Sequence, residues 1–142
     1  MEIMIQQRQQ MSLATTMDLD RESAISKLNT FLEENGIFDP KRYFSQWLVK
    51  QGNKLVSTTY IEFAVIPSEQ KGKKDVNVAK MREGQNLVIR VEKDDFEAYK
   101  IGEFNQEIDA FLKESKLRLD NAYLLPYMEM DGDEYIIYTP VK

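Results

Sequence analysis

The chain of 142 residues contains no cysteine and no histidine. Without cysteine there is no disulfide framework and no thiolate chemistry. Without histidine, Ser-His-Asp and Cys-His nucleophilic sites are excluded. Losing both residue types also argues against a transition-metal site, because carboxylates alone suit Mg²⁺ or Ca²⁺. No apolar run approaches the ~18 residues of a membrane span. The start, Met1-Glu2-Ile3-Met4-Ile5-Gln6-Gln7-Arg8, has no basic segment followed by a long apolar stretch. We expect no signal peptide and a cytoplasmic protein with no membrane insertion. The net charge is −5. It is spread evenly, −2 over residues 1–70 (7 basic, 9 acidic) and −3 over residues 71–142 (12 basic, 15 acidic). An acidic chain without a basic patch is a poor binder of nucleic acid.

What is present is an echo. Tyr60-Ile61-Glu62-Phe63-Ala64-Val65-Ile66-Pro67 reads as a strand ending on proline. Tyr135-Ile136-Ile137-Tyr138-Thr139-Pro140-Val141 repeats it 75 residues later. Leu28-Asn29-Thr30-Phe31-Leu32-Glu33-Glu34 is matched by Ile108-Asp109-Ala110-Phe111-Leu112-Lys113-Glu114 at an offset of 80. At 42% hydrophobic the chain can bury a core.

The local signals arrange these pieces. Residues 3–17 read as one long strand or two short ones. Asp18 or Asp20 can cap the helix that carries Ile25, Leu28, Phe31 and Leu32. Asn35-Gly36 supplies its left-handed stop. Arg42–Lys50 and Leu55–Ile66 read as strands joined by a hairpin turn at Gln51-Gly52-Asn53. Residues 68–80 are polar and lysine-rich, with Val76 and Val78 able to form a short strand. Leu87–Val91 is a strand after a turn at Glu83-Gly84. Asp94-Asp95 can start a second helix through Ile101, Phe104, Ile108, Phe111 and Leu112, with Gly102 weakening its first turn. Tyr123–Met130 and Asp133–Val141 read as the last strands, joined at Asp131-Gly132.

The expected fold class is therefore α+β: duplicated βαββ units with pseudo-twofold symmetry, forming one antiparallel sheet with two helices packed on one face. The chain is expected to be a single domain, with repeat 1 at about 1–67, a junction at about 68–80 and repeat 2 at about 81–142.

This layout resembles the gyrase-inhibitor-like (GyrI-like) superfamily, whose domains also serve as effector-binding domains of bacterial transcription activators. Arg82-Glu83-Gly84-Gln85-Asn86-Leu87-Val88-Ile89 is similar to that family's glycine turn and following strand. The helix around Phe111-Leu112 and the closing strand ending Pro140-Val141 resemble its counterparts. Met17–Asp20 and Lys93–Phe96 stand where the family often has a His-x-Gly-Pro-Tyr-like turn. The resemblance implies a distant, stand-alone member with a duplicated βαββ (SHS2-like) repeat, holding ligands in a cleft between the halves.

Side chains at i and i+2 of a strand share a face. Ile61, Phe63 and Val65 form an apolar set expected to meet the helices, leaving Tyr60 and Glu62 on the open face. By the same reasoning Leu124, Pro126, Met128 and Met130 are core, while Tyr123, Tyr127 and Glu129 are open. Ile136 and Tyr138 are assigned to the core and Tyr135 to the open face. With Trp47, these make a candidate ligand set of Tyr60, Glu62, Tyr123, Tyr127, Glu129, Tyr135 and Trp47. Aromatic rings around a carboxylate suit an organic cation, each ring offering ~0.5–2 kcal/mol.

The expectation is a non-enzymatic domain binding a small hydrophobic or cationic ligand, with no cofactor, no metal and no catalytic residue. The alternative is a protein partner: an adaptor or chaperone-like protein in a bacterial secretion or toxin system. A hydrolase using a cleft glutamate, Glu62 or Glu129, is the remaining enzymatic option.

Overall fold

The echo in the sequence folds as two βαββ units, and the first strand of the chain joins the second of them. The computed structural model describes residues 1–67, 70–123 and 125–142. In chain order the elements are β1 (Glu2–Arg8), β2 (Met11–Asp18), α1 (Arg21–Glu34), β3 (Arg42–Gln51), β4 (Lys54–Ile66) and β5 (Asn77–Met81). There follow β6 (Gly84–Glu92), a 3₁₀ turn (Lys93–Asp95), α2 (Phe96–Lys100), α3 (Asn105–Glu114), β7 (Tyr127–Asp131) and β8 (Glu134–Val141). One unit comprises Gln10–Arg82, here the central unit; Met1–Gln9 and Glu83–Lys142 form the terminal unit. The fold class is α+β, and strand pairing within each unit is antiparallel.

In the central unit the strand order is β3-β4-β2-β5. Asp20 caps α1: its carboxylate accepts from Ser23 N at 3.2 Å and from Ser23 Oγ at 2.8 Å. Gly36, at φ +65°, takes the left-handed conformation beyond the helix end. Ala24, Leu28, Phe31 and Leu32 recur at helical spacing and are buried. They pack over β2 and β4, where Ala14 and Ala64 sit opposite one another, both fully buried. Two alanines at that crossing let the helix backbone close on the sheet. Ile66 and Val76 complete the cluster. Thr16 Oγ1 anchors it, donating to the Ala24 carbonyl at 2.7 Å.

This packing reverses the sequence-based choice of face on β4. The residues beneath α1 are Ala64, Ile66 and Glu62, not Ile61, Phe63 and Val65. Alternation states which side chains share a face, but both sets on β4 are largely apolar. The alanines, rather than the most hydrophobic set, mark where the helix lands.

In the terminal unit the order is β1-β6-β8-β7. Here β6, β7 and β8 take the places of β2, β3 and β4, and β1 takes the edge place that β5 holds in the central unit. Residues 3–17 are thus two strands with different destinations. The second helix is split: α2 ends at a turn where Gly102 has φ +89°, and α3 follows. Neither helical segment receives a side-chain cap from Asp94 or Asp95. Phe96, the first residue of α2, stacks on Tyr135 with centroids 3.9 Å apart. Tyr135 and Ile137 therefore face the helical side, and Ile136 and Tyr138 face away, again the reverse of the expectation.

The strand expected over Tyr123–Met130 begins only at Tyr127. Before it, Asp120 holds a turn, its carboxylate accepting from Ala122 N at 3.0 Å and its carbonyl from Tyr123 N at 3.1 Å. Pro126 offers no N–H for a ladder. Met130, expected in the core, is 43% exposed beside the hairpin turn. Leu124 lies outside the described residues.

Candidate functional site

The face of the terminal sheet turned away from Phe96 carries an aromatic and charged cluster. It starts at Arg8, the last residue of β1, which sits opposite Gly84. The guanidinium lies against that glycine: a Cβ there would stand 2.7 Å from Arg8 Nη2. Arg8 is only 5% exposed. Its Nη1 donates to the Gln85 carbonyl at 3.0 Å and to Asn86 Oδ1 at 2.8 Å.

A guanidinium has donors and no acceptors, so the amide of Asn86 must turn its oxygen towards Arg8. Its NH₂ group is thereby aimed at Tyr127, and Nδ2 donates to the phenol oxygen at 2.6 Å. Tyr127 and Tyr138, directly opposite in the β7–β8 ladder, stack with centroids 5.0 Å apart and planes 13° from parallel. Tyr138 in turn donates to Glu129 Oε2 at 3.1 Å. Tyr123 closes the Arg8 end, its ring centroid 5.3 Å from the guanidinium carbon.

The cluster is a chain of polarised groups with a cation at one end and a carboxylate at the other. Hydrogen bonds to a charged partner are worth about 1.5–3 kcal/mol, against about 1 kcal/mol for neutral pairs. A cation–π contact adds ~0.5–2 kcal/mol according to its desolvation. These contacts offset the expense of burying a guanidinium, which is high when it is unmatched.

Of the residues singled out in the sequence, Tyr123, Tyr127 and Glu129 meet in this cluster. Tyr135 lies on the helical side, against Phe96. Trp47, Tyr60 and Glu62 belong to the central unit. Trp47, on β3, is 52% exposed. Tyr60 and Glu62 share the face that α1 covers. Glu62 is buried, with Oε2 3.8 Å from Arg21 Nε and Phe44 directly opposite on β3. Burial pushes its pKa up, and the positive fields of Arg21 and Arg42 only partly oppose this. Its surroundings, an arginine at the start of α1 and an apolar sheet, are those of a structural carboxylate. Among the described residues, no group of three Asp or Glu is placed to hold a metal ion.

Arg8, Asn86 and Tyr138 were not foreseen. Asn86 left a faint signal, a short amide immediately before the apolar run Leu87-Val88-Ile89. Arg8 left none, since its partners lie 77 and 78 residues away.

No family model matches the sequence, and neither does any curated protein sequence. Solved structures do match. The C-terminal domain of EcmrR is 11% identical with a TM-score of 0.57, the match covering 99% of this chain and 97% of that one. In the EcmrR–DNA complex the same protein's chain gives a TM-score of 0.58, and this chain spans 57% of its length. A hydrolase from Listeria innocua is 15% identical with a TM-score of 0.63, covering 99% of this chain and 92% of that one. SAV2435 bound to tetraphenylphosphonium is 11% identical with a TM-score of 0.50, covering 100% and 94%.

The chain thus shares the fold of the EcmrR C-terminal domain along its whole length. No helix among the described residues is long and apolar enough to cross a membrane.

Proposed function

We propose that this GyrI-like chain is a non-enzymatic binding domain for a small, hydrophobic organic cation. The ligand rests on the terminal-unit face formed by Tyr123, Tyr127, Tyr138 and Glu129. The observation that carries this reading is the stacked Tyr127–Tyr138 pair with a glutamate hydrogen-bonded to its rim. Tyr127 is only 5% exposed and backs the half-buried Tyr138, whose ring is the electron-rich surface offered to a cation, and the half-buried Glu129 carboxylate supplies counter-charge in a setting poorer in water than bulk solvent. The fold likeness to SAV2435, a protein solved with tetraphenylphosphonium, supports the same chemistry.

Calorimetric titration of the chain with tetraphenylphosphonium tests it. Glu129→Gln should weaken binding roughly tenfold or more, the equivalent of a lost charge-assisted contact. Equal affinity in wild type and Glu129→Gln would sink the proposal that this carboxylate receives the cation.

A second reading, a protein-binding module, rests on the β3–β4 hairpin. Trp47, Val49, Leu55 and Val56 are 52%, 41%, 50% and 53% exposed there. Absence of binding by any hydrophobic cation would leave this as the better account.

A further inference from the structure

The charge of the chain is even between its halves but not along its length. Residues 40–61 contain Lys41, Arg42, Lys50 and Lys54 and no acidic residue. With +4 there and −5 in total, the rest of the chain carries −9. The acid-free stretch spans β3 and the first part of β4. Pairing of β4 with β2 stops at Tyr60↔Asp18, whereas its pairing with β3 runs on to Lys54↔Gln51. Residues 54–59 therefore reach past β2 by six positions, roughly 20 Å of strand.

Exposed apolar side chains occupy both faces of this ribbon. Trp47 and Val49 share one face. Leu55 lies opposite Lys50, on the other face with Leu48. Val56 is also exposed; the register passes over it from Val49↔Ser57 to Lys50↔Leu55, so it is the extra residue of a bulge. A partner protein seated on a ribbon covers one face. Apolar groups on both faces fit a medium that surrounds the tip. Elsewhere exposed apolar side chains sit beside carboxylates, Leu19 between Asp18 and Asp20 and Phe38 before Asp39. Here the neighbours are Lys50 and Lys54, both exposed and, among the described residues, not paired with a carboxylate.

We propose that the β3–β4 tip docks on the surface of an anionic lipid bilayer. Trp47, Val49, Leu55 and Val56 enter the headgroup layer, and Lys50 and Lys54 are held by lipid phosphates. Tryptophan suits that layer because its apolar body carries one polar N–H. Lysine lays its stem along apolar surface while its ammonium stays with the phosphates. The attachment is peripheral: residues 54–59 have backbone groups on their β2 side with no strand to meet them, and hydrocarbon would leave those groups unsatisfied. The acidic remainder of the chain is repelled by the same surface, so the tip approaches first.

Trp47 is the only tryptophan of the chain and reports on the tip directly. The test mixes the full chain with unilamellar vesicles of phosphatidylcholine, alone or with an equal part of phosphatidylglycerol. With the anionic vesicles the protein should cosediment, and Trp47 emission should move to shorter wavelength. Lipids brominated near the top of their acyl chains should quench that emission. Phosphatidylcholine alone should bind roughly tenfold more weakly or less, and added salt should weaken binding to the anionic vesicles. Lys50→Gln with Lys54→Gln should lose roughly twentyfold, about fivefold per lysine at an anionic surface. Leu55→Ser with Val56→Ser should lose roughly tenfold or more. Leu19→Ser, also at an exposed apolar position, should bind as wild type.

A failure to partition onto anionic vesicles overturns the inference. So does binding that no tip substitution weakens, or binding without a change in Trp47 emission, since either places the contact elsewhere on the chain. If soluble poly-glutamate shifts Trp47 emission and the vesicles do not, the tip is a docking surface for an acidic polypeptide and the lipid inference is overturned. The lysine substitutions keep the side chains long and the strand pairing intact. They decide the matter should Leu55→Ser with Val56→Ser unfold the hairpin. Tetraphenylphosphonium binding at the terminal-unit face does not bear on any of these results.

Discussion

Tyr138 and Glu129 sit on neighbouring strands, one rung apart on the same face, and the phenol donates to the carboxylate at 3.1 Å. This pair sets the charge of the ring that Tyr127 stacks on. Tyr138→Phe removes the donor and leaves the ring. Because Glu129 is only half-buried, the loss should be about 1–2 kcal/mol, below the top of the range for charged partners. The melting temperature should fall by a few degrees. In a Glu129→Gln background the same substitution should lose clearly less, and a double-mutant cycle by chemical denaturation measures the difference.

Gly84 is needed for space and not for an unusual backbone angle. Gly84→Ala places a methyl 2.7 Å from Arg8 Nη2 and must displace the guanidinium. We expect a loss of about 1–3 kcal/mol, the usual range for overpacking. The loss should shrink in an Arg8→Ala background, where no guanidinium remains to collide. Urea melts of the two single variants and the double variant read this directly.

Glu62 gives a pH dependence with a definite sign. Its folded-state pKa is raised by burial. Above the ordinary carboxylate range the folded state therefore holds this proton more tightly than the unfolded state. Stability from this group is complete at acid pH and declines as pH rises through the folded pKa. Glu62→Gln removes that decline. The variant should match wild type near about pH 4 and gain on it towards about pH 8, as followed by thermal melts across the interval. A variant that loses stability as pH rises would show that Arg21 and Arg42 outweigh the burial.

Strand β1 is joined to β6 over seven residue pairs, Glu2 to Arg8 against Arg90 to Gly84. Deleting residues 1–9 exposes the β6 edge, an open ladder prone to pairing with other chains. Hydrogen exchange read by mass spectrometry should show lost protection over residues 84–92. Residues 11–18, paired with β4 and β5 in the central unit, should keep theirs. The truncated chain should also self-associate more readily in sedimentation.

Much of the architecture was legible in the residues. The Asp20 cap, the Gly36 stop, the Gly52 and Gly132 turns and the Tyr60/Tyr135 echo are local, and each sits where the local chemistry requires. Gly102, expected only to weaken the first turn of a single second helix, in fact divides it into α2 and α3. The candidate site was legible only in part. Tyr127 and Glu129 were reached because strand alternation gave their face correctly, whereas Tyr123 joins them from the turn before β7 and not from a strand. For Tyr60 and Glu62 the more apolar set of β4 is not the helix side, because Ala14 and Ala64 mark where α1 lands; for Tyr135 the stack on Phe96 decides the face.

The sequence by itself determined most of the segments that are strands and helices, most of their turns, and which side chains of a strand share a face. Those properties depend on neighbours a few residues away. Only the tertiary structure decided which face each helix covers, that β1 completes the terminal unit, and that Arg8 reaches Asn86. The reason is physical. A strand's period of two is unchanged when the sheet is turned over, so alternation cannot name the buried side. A ladder between residues about 80 apart is chosen by the packing of the whole unit, and it leaves no mark at either end of the chain.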